Sequence, residues 1–396
     1  MKQKIGIITY FNAFNYGGDL QCFALQCKLR NIGYNAEVLN VRRPCDKDFK
    51  YDNAKKFKSL YSFNEKRDIK AKVKTNIYHF IMKIISLIYR KKSKERERVF
   101  KEFYKKYIVF SEDIYYNYTQ LYDSADKLEY THYITGSDQV WNYQSEYSIE
   151  PYMLTFVKKG KKISYAASIG HSEIPEELKQ LYKHNLSDFS NISLREEIGV
   201  DLIKKITGRD DIEQVLDPTF LLTKNEWLKA LNLDSNKQSN QEDREKYVLV
   251  YLLSRSNFSL KIACNLAEKL NYKVKVINSS IYNLHSNKKC EYILAQSPRE
   301  FVRLFSNASF VITNSFHGTA FSLNFNIPFI STTRKNKRVN SRFISILSKL
   351  SLIDRLVYED EEFEIGKYLS LNFEHAKFAL DLERDKSINY LVNSLN

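Results

Sequence analysis

Short apolar runs and helical stretches alternate along this chain, and the alternation starts afresh past its midpoint. The first series opens with IGIITY (5–10), passes through a helix from about Asp19 to Ile32, with Asp19 as its N-cap and Gly33 just past its end, and reaches AEVLNV. After an interruption it resumes with HYITGSDQVWN, KKISYAASIG, NISLREEIG and IEQVLDPTFLL. The second series opens with YVLVYLLS (247–254), continues through a helix near Leu260–Leu270 and KVKVINSS, and ends in FVITNSFHGTAFSLNFNIPFISTT. Nearly continuous apolar strands separated by helices belong to parallel sheets covered on both faces. The reading is therefore an α/β chain with two Rossmann-like domains facing a cleft, residues 1–221 and 247–396. A polar linker at 222–246 joins them, and a helix closes the second. Its 396 residues suit two domains of ordinary size.

The interruption, about 43–125, reads as a basic helical insertion in the first domain. The whole chain carries a net charge of +15. Residues 42–108 hold 22 Lys/Arg against 8 Asp/Glu, an excess of 14, so the remainder is nearly neutral. Within this segment Ile77, Phe80, Ile81, Ile84, Ile85 and Ile88 recur at helical spacing beside a cationic flank. That is the pattern of a helix lying on a membrane surface. A helix packed on its own domain, with solvated charges behind it, fits the pattern too. Nucleic acid ranks third, because no binding motif or aromatic platform accompanies the charge. There is no apolar run of ~18 residues to span a bilayer, and no cleavage-site pattern at the start. The five cysteines are scattered without C-x-x-C spacing, so neither a disulfide framework nor a zinc site is expected. These features together predict a cytoplasmic protein, peripheral on the membrane face if the basic segment binds lipid.

Three stretches carry residues fit for chemistry. FVITNSFHGTAFSLNFNIP reads as a strand over Phe310–Thr313, a turn, and a helix from Gly318. A strand–turn–helix leaves backbone N–H groups free at the helix start, a ready anion site. Asn314, Ser315, Gly318 and Thr319 would line it, with Gly318 admitting the ligand and the hydroxyls adding donors. His317 at the mouth is placed to move a proton near neutral pH. In ISLREEIG, Arg195 follows a short strand, either paired with Glu196 or Glu197 or clamping an anion. In ITGSDQVWN, the residues Ser137, Asp138, Gln139 and Trp141 supply the polar groups and ring face of a sugar site. A capped helix with Trp141 in the core explains the same letters. Asp217-Pro218 would shape the cleft floor. Asp46-x-Asp48 matches D-x-D only formally, and no metal site is assigned.

These segments, taken in order, resemble the polysaccharide pyruvyl transferase family. The match runs through GIITYFNAFNYGGDLQCFALQ with LRNIGY, YITGSDQVWN, SYAASIG, SLREEIG, VLDPTFLL, VITNSFHGTAFSLNFNIPFI and NSRFISILSKLSLIDR. It leaves out the basic insertion and the last ~30 residues. Asp19 departs from it, standing where many members carry an apolar or small residue. The resemblance implies a GT-B-like fold, phosphoenolpyruvate as donor substrate with no separate cofactor, and a saccharide acceptor that is often lipid-linked. It implies a catalytic role for His317 and donor binding for Arg195, with Arg342 a further candidate for the donor pocket.

The chemistry asks for the same parts. Protonating the methylene carbon of phosphoenolpyruvate makes C2 electrophilic, so an acid, an anion clamp and a base for sugar hydroxyls are needed. His317 is assigned as the acid, and the first loop (Asn15, Tyr16, Gly17, Gly18, Gln21) is placed on the acceptor side. There Gly17 and Gly18 would let a sugar approach the backbone. Two rivals remain: a nucleotide-sugar glycosyltransferase of similar fold, and a non-catalytic protein binding membranes or nucleic acid through residues 43–108.

Overall fold

The computed structural model describes residues 3–51, 90–145, 147–234, 245–278, 287–335, 340–361, 363–369 and 371–396. The greasy stretch 77–88 and the most polar part of the expected linker, 235–244, lie outside these residues. Two six-stranded sheets organise the chain. The first is built from β1 (Lys4–Ile8), β2 (Asn35–Val41), β3 (Phe110–Tyr115), β4 (His132–Thr135), β5 (Lys161–Ser164) and β6 (Phe189–Asn191). A two-stranded parallel ladder, β7 (Ser193–Leu194) with β8 (Glu213–Gln214), extends this half. The second sheet is built from β9 (Tyr247–Leu252), β10 (Lys273–Asn278), β11 (Cys290–Ile293), β12 (Phe310–Thr313), β13 (Phe329–Thr333) and β14 (Leu356–Tyr358).

The strand orders are β3-β2-β1-β4-β5-β6 and β11-β10-β9-β12-β13-β14, the same doubly wound order twice, with every pairing parallel. In this topology the chain reverses direction between the first and fourth strands, and ligands sit beyond the strand ends at that point. The central strands explain themselves: β9 is YVLVYL with every residue buried, as a strand covered by helices on both faces requires.

Three expectations need correcting. The basic insertion ends before β3, which is the edge strand of the first sheet, so it does not reach residue 125. Its described residues are 43–51, which run through turns, and a helix, Arg90–Tyr107, that buries Phe100, Phe103 and Tyr104 against its own domain and turns its lysines outward. The expected linker begins as structure: helix Lys224–Ala230 is started by a capping box of Thr223 and Glu226, with Trp227 fully buried. Nor does the closing helix, Glu374–Leu395, stay with the second half. Tyr390 Oη donates to Ser164 O at 2.9 Å, Ser387 Oγ accepts from Leu216 N at 2.9 Å, and Arg384 Nε donates to Phe220 O at 2.7 Å.

One continuous core runs through both halves, from Ile5 to Leu395. At the junction Tyr16 stacks on Phe301, with ring centroids 4.6 Å apart, and its hydroxyl donates to Gln296 O at 3.0 Å. Stacked aromatic pairs of this kind add about 1 kcal/mol beyond the area they bury. Among the described residues no helix is long and apolar enough to cross a membrane.

Candidate active site

The helix Phe316–Asn324 starts at the C-terminal end of β12, beside the strand-order reversal of the second sheet. Ser315 caps it, its Oγ accepting from Gly318 N at 3.4 Å. Thr319 N is taken by Ser315 O, and Ser315 N by Thr313 Oγ1. That leaves the amides of Phe316 and His317 as the donors of the first turn not engaged in this way. The helix starts two residues earlier than the sequence suggests, so His317 stands in the first turn.

His317 points across to the first half of the chain. Its Nε2 lies 3.7 Å from Asp217 Oδ2, outside hydrogen-bond reach but close enough for strong electrostatic attraction. Asp217 Oδ2 also accepts from Arg195 Nη1 at 2.9 Å and from Ser137 Oγ at 3.0 Å. Its Oδ1 accepts from Thr219 N at 3.0 Å and Thr219 Oγ1 at 2.8 Å, as the cap of the turn Pro218–Phe220. Burial alone would disfavour the carboxylate. The His317 ring, the Arg195 guanidinium and the Thr219 amide outweigh it and hold Asp217 well below the ordinary carboxylate range. Asp217 is thus an ionised, fully enclosed anchor shared by both halves.

Arg195 is buried and extends the network. Its Nε donates to Glu196 Oε1 at 3.0 Å, and the same oxygen accepts from Ser168 Oγ at 2.9 Å. Burial opposes its charge, but Glu196 and Asp217 outweigh that and raise its pKa. Arg195 is thus salt-bridged, as one of its two sequence readings has it, and among the described residues its Nη2 is buried without a partner. Arg342 shares the Phe316 ring with it, their guanidinium carbons lying 5.9 and 4.8 Å from the ring centroid. Burial lowers the pKa of Arg342, and the nearby Arg195 lowers it further. Arg342 Nε and His317 Nε2 are likewise buried with no partner. Each orphaned buried polar group costs about 1–3 kcal/mol. Three of them around one carboxylate make a site shaped for an oxyanion. A small cavity lined by Arg195, Asp217, Phe316, Arg342 and Ser345 adjoins it.

The first loop meets this site in an unforeseen way. A Cβ on Gly17 would fall 2.0 Å from His317 Nδ1 and 2.4 Å from its Cγ. Gly17 therefore makes room for the histidine of the other half rather than for a sugar. At Gly18 the nearest atom is Asp138 Oδ2, at 3.5 Å. Asp138 stands in the left-handed region (φ 74°) at the cleft, its Oδ1 accepting from Gln139 N. Gln139 is half-buried and accepts from Asn142 Nδ2.

Several expected contacts are instead structural. Trp141 is fully buried and donates to Tyr152 O, so it belongs to the core, but the motif runs through turns and not the capped helix expected with it. Tyr16 belongs to the junction described above. Gln21 is buried and donates to Thr9 Oγ1, Tyr10 O and Gly18 O, bracing the loop from within. Asn15 is the true cap of the first helix, Tyr16–Asn31, in place of Asp19. Gly318 packs on Thr313, whose Oγ1 a Cβ would meet at 2.2 Å, so it serves strand–helix packing and not ligand approach. Thr319 is buried and shares a hydrogen bond with Ser331. Asn314 ties the end of β12 to the loop after β9 through Leu253 N and Ser254 O. Asp46 accepts from Arg43 N and Asp48 pairs with Arg42, as expected of a chance D-x-D match. Among the described residues no cluster of His, Cys, Asp or Glu could hold a metal ion.

A wider cavity of about 700 Å³ lies elsewhere, between Phe23, Arg30, Tyr107 and Lys229. It contains none of the residues above, and size alone does not make it the site. Sequence reasoning passed over Glu196 and Ser168 as site residues and gave Asp217 only an architectural part. The signal available was an Asp-Pro directly after a strand, in the half that lacks the histidine.

Two parallel sheets of this order with a site between them define a GT-B-type fold. Solved structures agree at the level of the fold. UDP-GlcNAc 2-epimerase from Methanocaldococcus jannaschii, in complex with UDP-GlcNAc and UDP, is 13% identical with a TM-score of 0.50, covering 100% of this chain and 99% of that one. The enzyme of the same name from Neisseria meningitidis, bound to UDP-GlcNAc, is 9% identical with a TM-score of 0.51 at the same coverage. Among curated proteins no sequence matches this chain. The polysaccharide pyruvyl transferase family model matches residues 15–336, and the chain belongs to that family. The match encloses Gly17, Arg195, Asp217 and His317, so every member of the network except Arg342 lies inside it. Family membership makes this a transferase with a saccharide acceptor.

Proposed function

We propose that the protein transfers pyruvate from phosphoenolpyruvate to two hydroxyls of one sugar, forming a cyclic ketal and releasing phosphate. The observation that carries this reading is the trio of unpartnered buried nitrogens, Arg195 Nη2, Arg342 Nε and His317 Nε2, gathered around ionised Asp217. Phosphoenolpyruvate carries two anionic groups and a methylene carbon that must be protonated. Arginine donors and the helix-start amides suit the anions. His317 delivers a proton to the methylene carbon, making C2 an oxocarbenium-like centre. The first sugar oxygen bonds to C2, and the C2–O bond to phosphate then breaks. The second hydroxyl closes the ketal. Of the two hydroxyl protons, one replaces the proton His317 gave up and the other leaves with phosphate. Asp217 holds the imidazole oriented and stabilises its charged form, as a buried carboxylate does in hydrolytic triads. Asp138 and Gln139, at the cleft beside Gly18, face the acceptor.

The neighbours that bind UDP-GlcNAc make a nucleotide sugar the natural rival donor. After Phe310 this chain has no acidic residue before Asp354 to hold a donor ribose, which favours the smaller donor. The basic helix Arg90–Tyr107, with its outward lysines, supports placing the enzyme at an anionic membrane face on the cytoplasmic side, near a lipid-linked acceptor. The test is phosphate release from phosphoenolpyruvate with purified protein and a panel of simple glycosides. Release that depends on both a sugar and His317 supports the proposal. No release, with thermal protection by a nucleotide sugar instead, overturns it.

A further inference from the structure

We infer that Asp19, in the first turn of the helix Tyr16–Asn31, is a positioning residue that sets the place of His317 through the loop Phe11–Asn15 and the helix start it leads into. This rests on His317 being the acid of the reading above. The loop is unusual in its backbone. Asn12 (φ 60°) and Phe14 (φ 50°) both occupy the left-handed region, where a side chain as large as phenylalanine is rarely found. Such conformations persist only where the surroundings over-determine them. Here three buried charges do so. Asp19 Oδ1 accepts from Asn12 N and its Oδ2 from Asn15 N, each at 3.1 Å. Arg43 Nη2 donates to Phe11 O at 2.5 Å, and Arg96 Nη2 to Phe14 O at 2.8 Å. The loop then delivers Gly17, whose amide is tied to Asn15 Oδ1, against the His317 ring. The histidine of one half is thus seated on a loop that the carboxylate of the other half holds in shape.

The carboxylate can do this fully only when ionised. Each oxygen then accepts from one amide. A protonated acid turns one oxygen into a hydroxyl, a poorer acceptor for the N–H it faces. The groups around it are Arg43 from the end of β2, Tyr104 and Arg96 from the helix Arg90–Tyr107, Cys22 one turn along its own helix, and Tyr251 from β9. Burial pushes Asp19 up to about 7, against the lowering by Tyr104, Arg43 and the two amides. The loop therefore changes its grip within the neutral range, tighter above it and looser below.

The test uses the full chain labelled with ¹⁵N-glycine, whose eleven glycines give a sparse amide spectrum. The Gly17 signal, assigned by its loss in Gly17→Ala, is followed from about pH 5.5 to 8.5 in the wild type, Asp19→Asn and His317→Ala. The expected result is an inflection near pH 7 in the wild type that persists in His317→Ala and disappears in Asp19→Asn. In phosphate-release assays kcat of the wild type should rise through the same range, while Asp19→Asn loses that step and has a kcat reduced about tenfold with KM for the donor unchanged. An inflection that survives in Asp19→Asn, or vanishes in His317→Ala, overturns the inference. Should Asp19→Asn fail to fold, Arg43→Lys weakens the hold on Phe11 O and must move the inflection. An unmoved inflection there also overturns the inference. If the wild type releases no phosphate while Gly17 titrates as expected, the functional reading has failed and the positioning of the histidine stands.

Discussion

Replacing Gly17 by alanine adds a single methyl group at the point where the two halves meet. That carbon would start 2.0 Å from His317 Nδ1, 2.4 Å from Cγ and 2.7 Å from Cε1. Carbon contacts are comfortable only from about 3.5 Å, so the ring must retreat by roughly 1.5 Å. The retreat has few directions open, because Phe316 packs on the ring from one side and Asp217 attracts it from another. A 1 Å misplacement of a catalytic group costs on the order of 10²-fold in rate. We expect kcat for phosphate release to fall by roughly 10²–10³-fold, which is ~3–4 kcal/mol of transition-state stabilisation.

Stability should move far less. Overpacking costs about 1–3 kcal/mol, and exchanging glycine for alanine in a helix returns up to about 1. The assay pairs steady-state phosphate release with a thermal melt on the same preparation. Gly366→Ala, where a Cβ meets nothing within 4 Å among the described residues, serves as the control. A Gly17→Ala enzyme that folds and turns over within about threefold of the wild type would refute the reasoning, because His317 would then tolerate displacement or act elsewhere.

Asp217→Asn should lower kcat by roughly 10³–10⁴-fold, as loss of the orienting carboxylate does in triads, and should cost about 3 kcal/mol in a denaturant melt by removing one of the two carboxylates that buried Arg195 bridges. Because the folded pKa of Asp217 is depressed, its contribution to stability is fully present above about pH 4 and is lost as pH falls toward the folded value. The variant's melting profile should lack that acid slope. Asp19 acts with the opposite sign. Its folded pKa is raised to about 7, so stability declines as pH rises from about 4 to 7, by up to roughly 4 kcal/mol, and Asp19→Asn should abolish this component of the pH dependence. Arg342→Met should raise KM for the donor about tenfold or more while leaving stability nearly unchanged, since Arg342 is half-buried, its Nε has no hydrogen-bond partner among the described residues, and burial already works against its charge; an unchanged KM would remove Arg342 from the donor pocket.

The sheets were legible because their signal is local. YVLVYL and KIGII are apolar along their whole length, and only a doubly covered parallel strand wants that pattern. His317, Arg195 and Arg342 were legible for a related reason: each is a reactive or cationic side chain beside a strand end or in the matched tail. The errors fall where one sequence pattern serves two structures. Trp141 follows a polar turn whether it faces a sugar or, as here, fills a core and donates to Tyr152 O. Edge strand β3, FSEDIY, carries three polar residues and reads as part of the charged insertion until its pairing with β2 is seen.

What no local pattern carries is the partner of a residue, and the site is made of partners. Gly17 and His317 are three hundred positions apart, Asp217 and His317 one hundred, and the chain between them says nothing of their meeting. A glycine in a strand-to-helix loop is ordinarily explained by a ligand's need for space. Here the space is taken by an imidazole that arrives from the other sheet. The same holds for Asp19, which looked like a helix cap and departed from the family pattern. Its carboxylate is spent on the amides of Asn12 and Asn15, holding the loop that receives the histidine. The geometry of the candidate site is therefore a property of the junction. Changes on the first half, at Gly17, Asp19 or Asp217, should alter the behaviour of a histidine on the second as strongly as changes beside it.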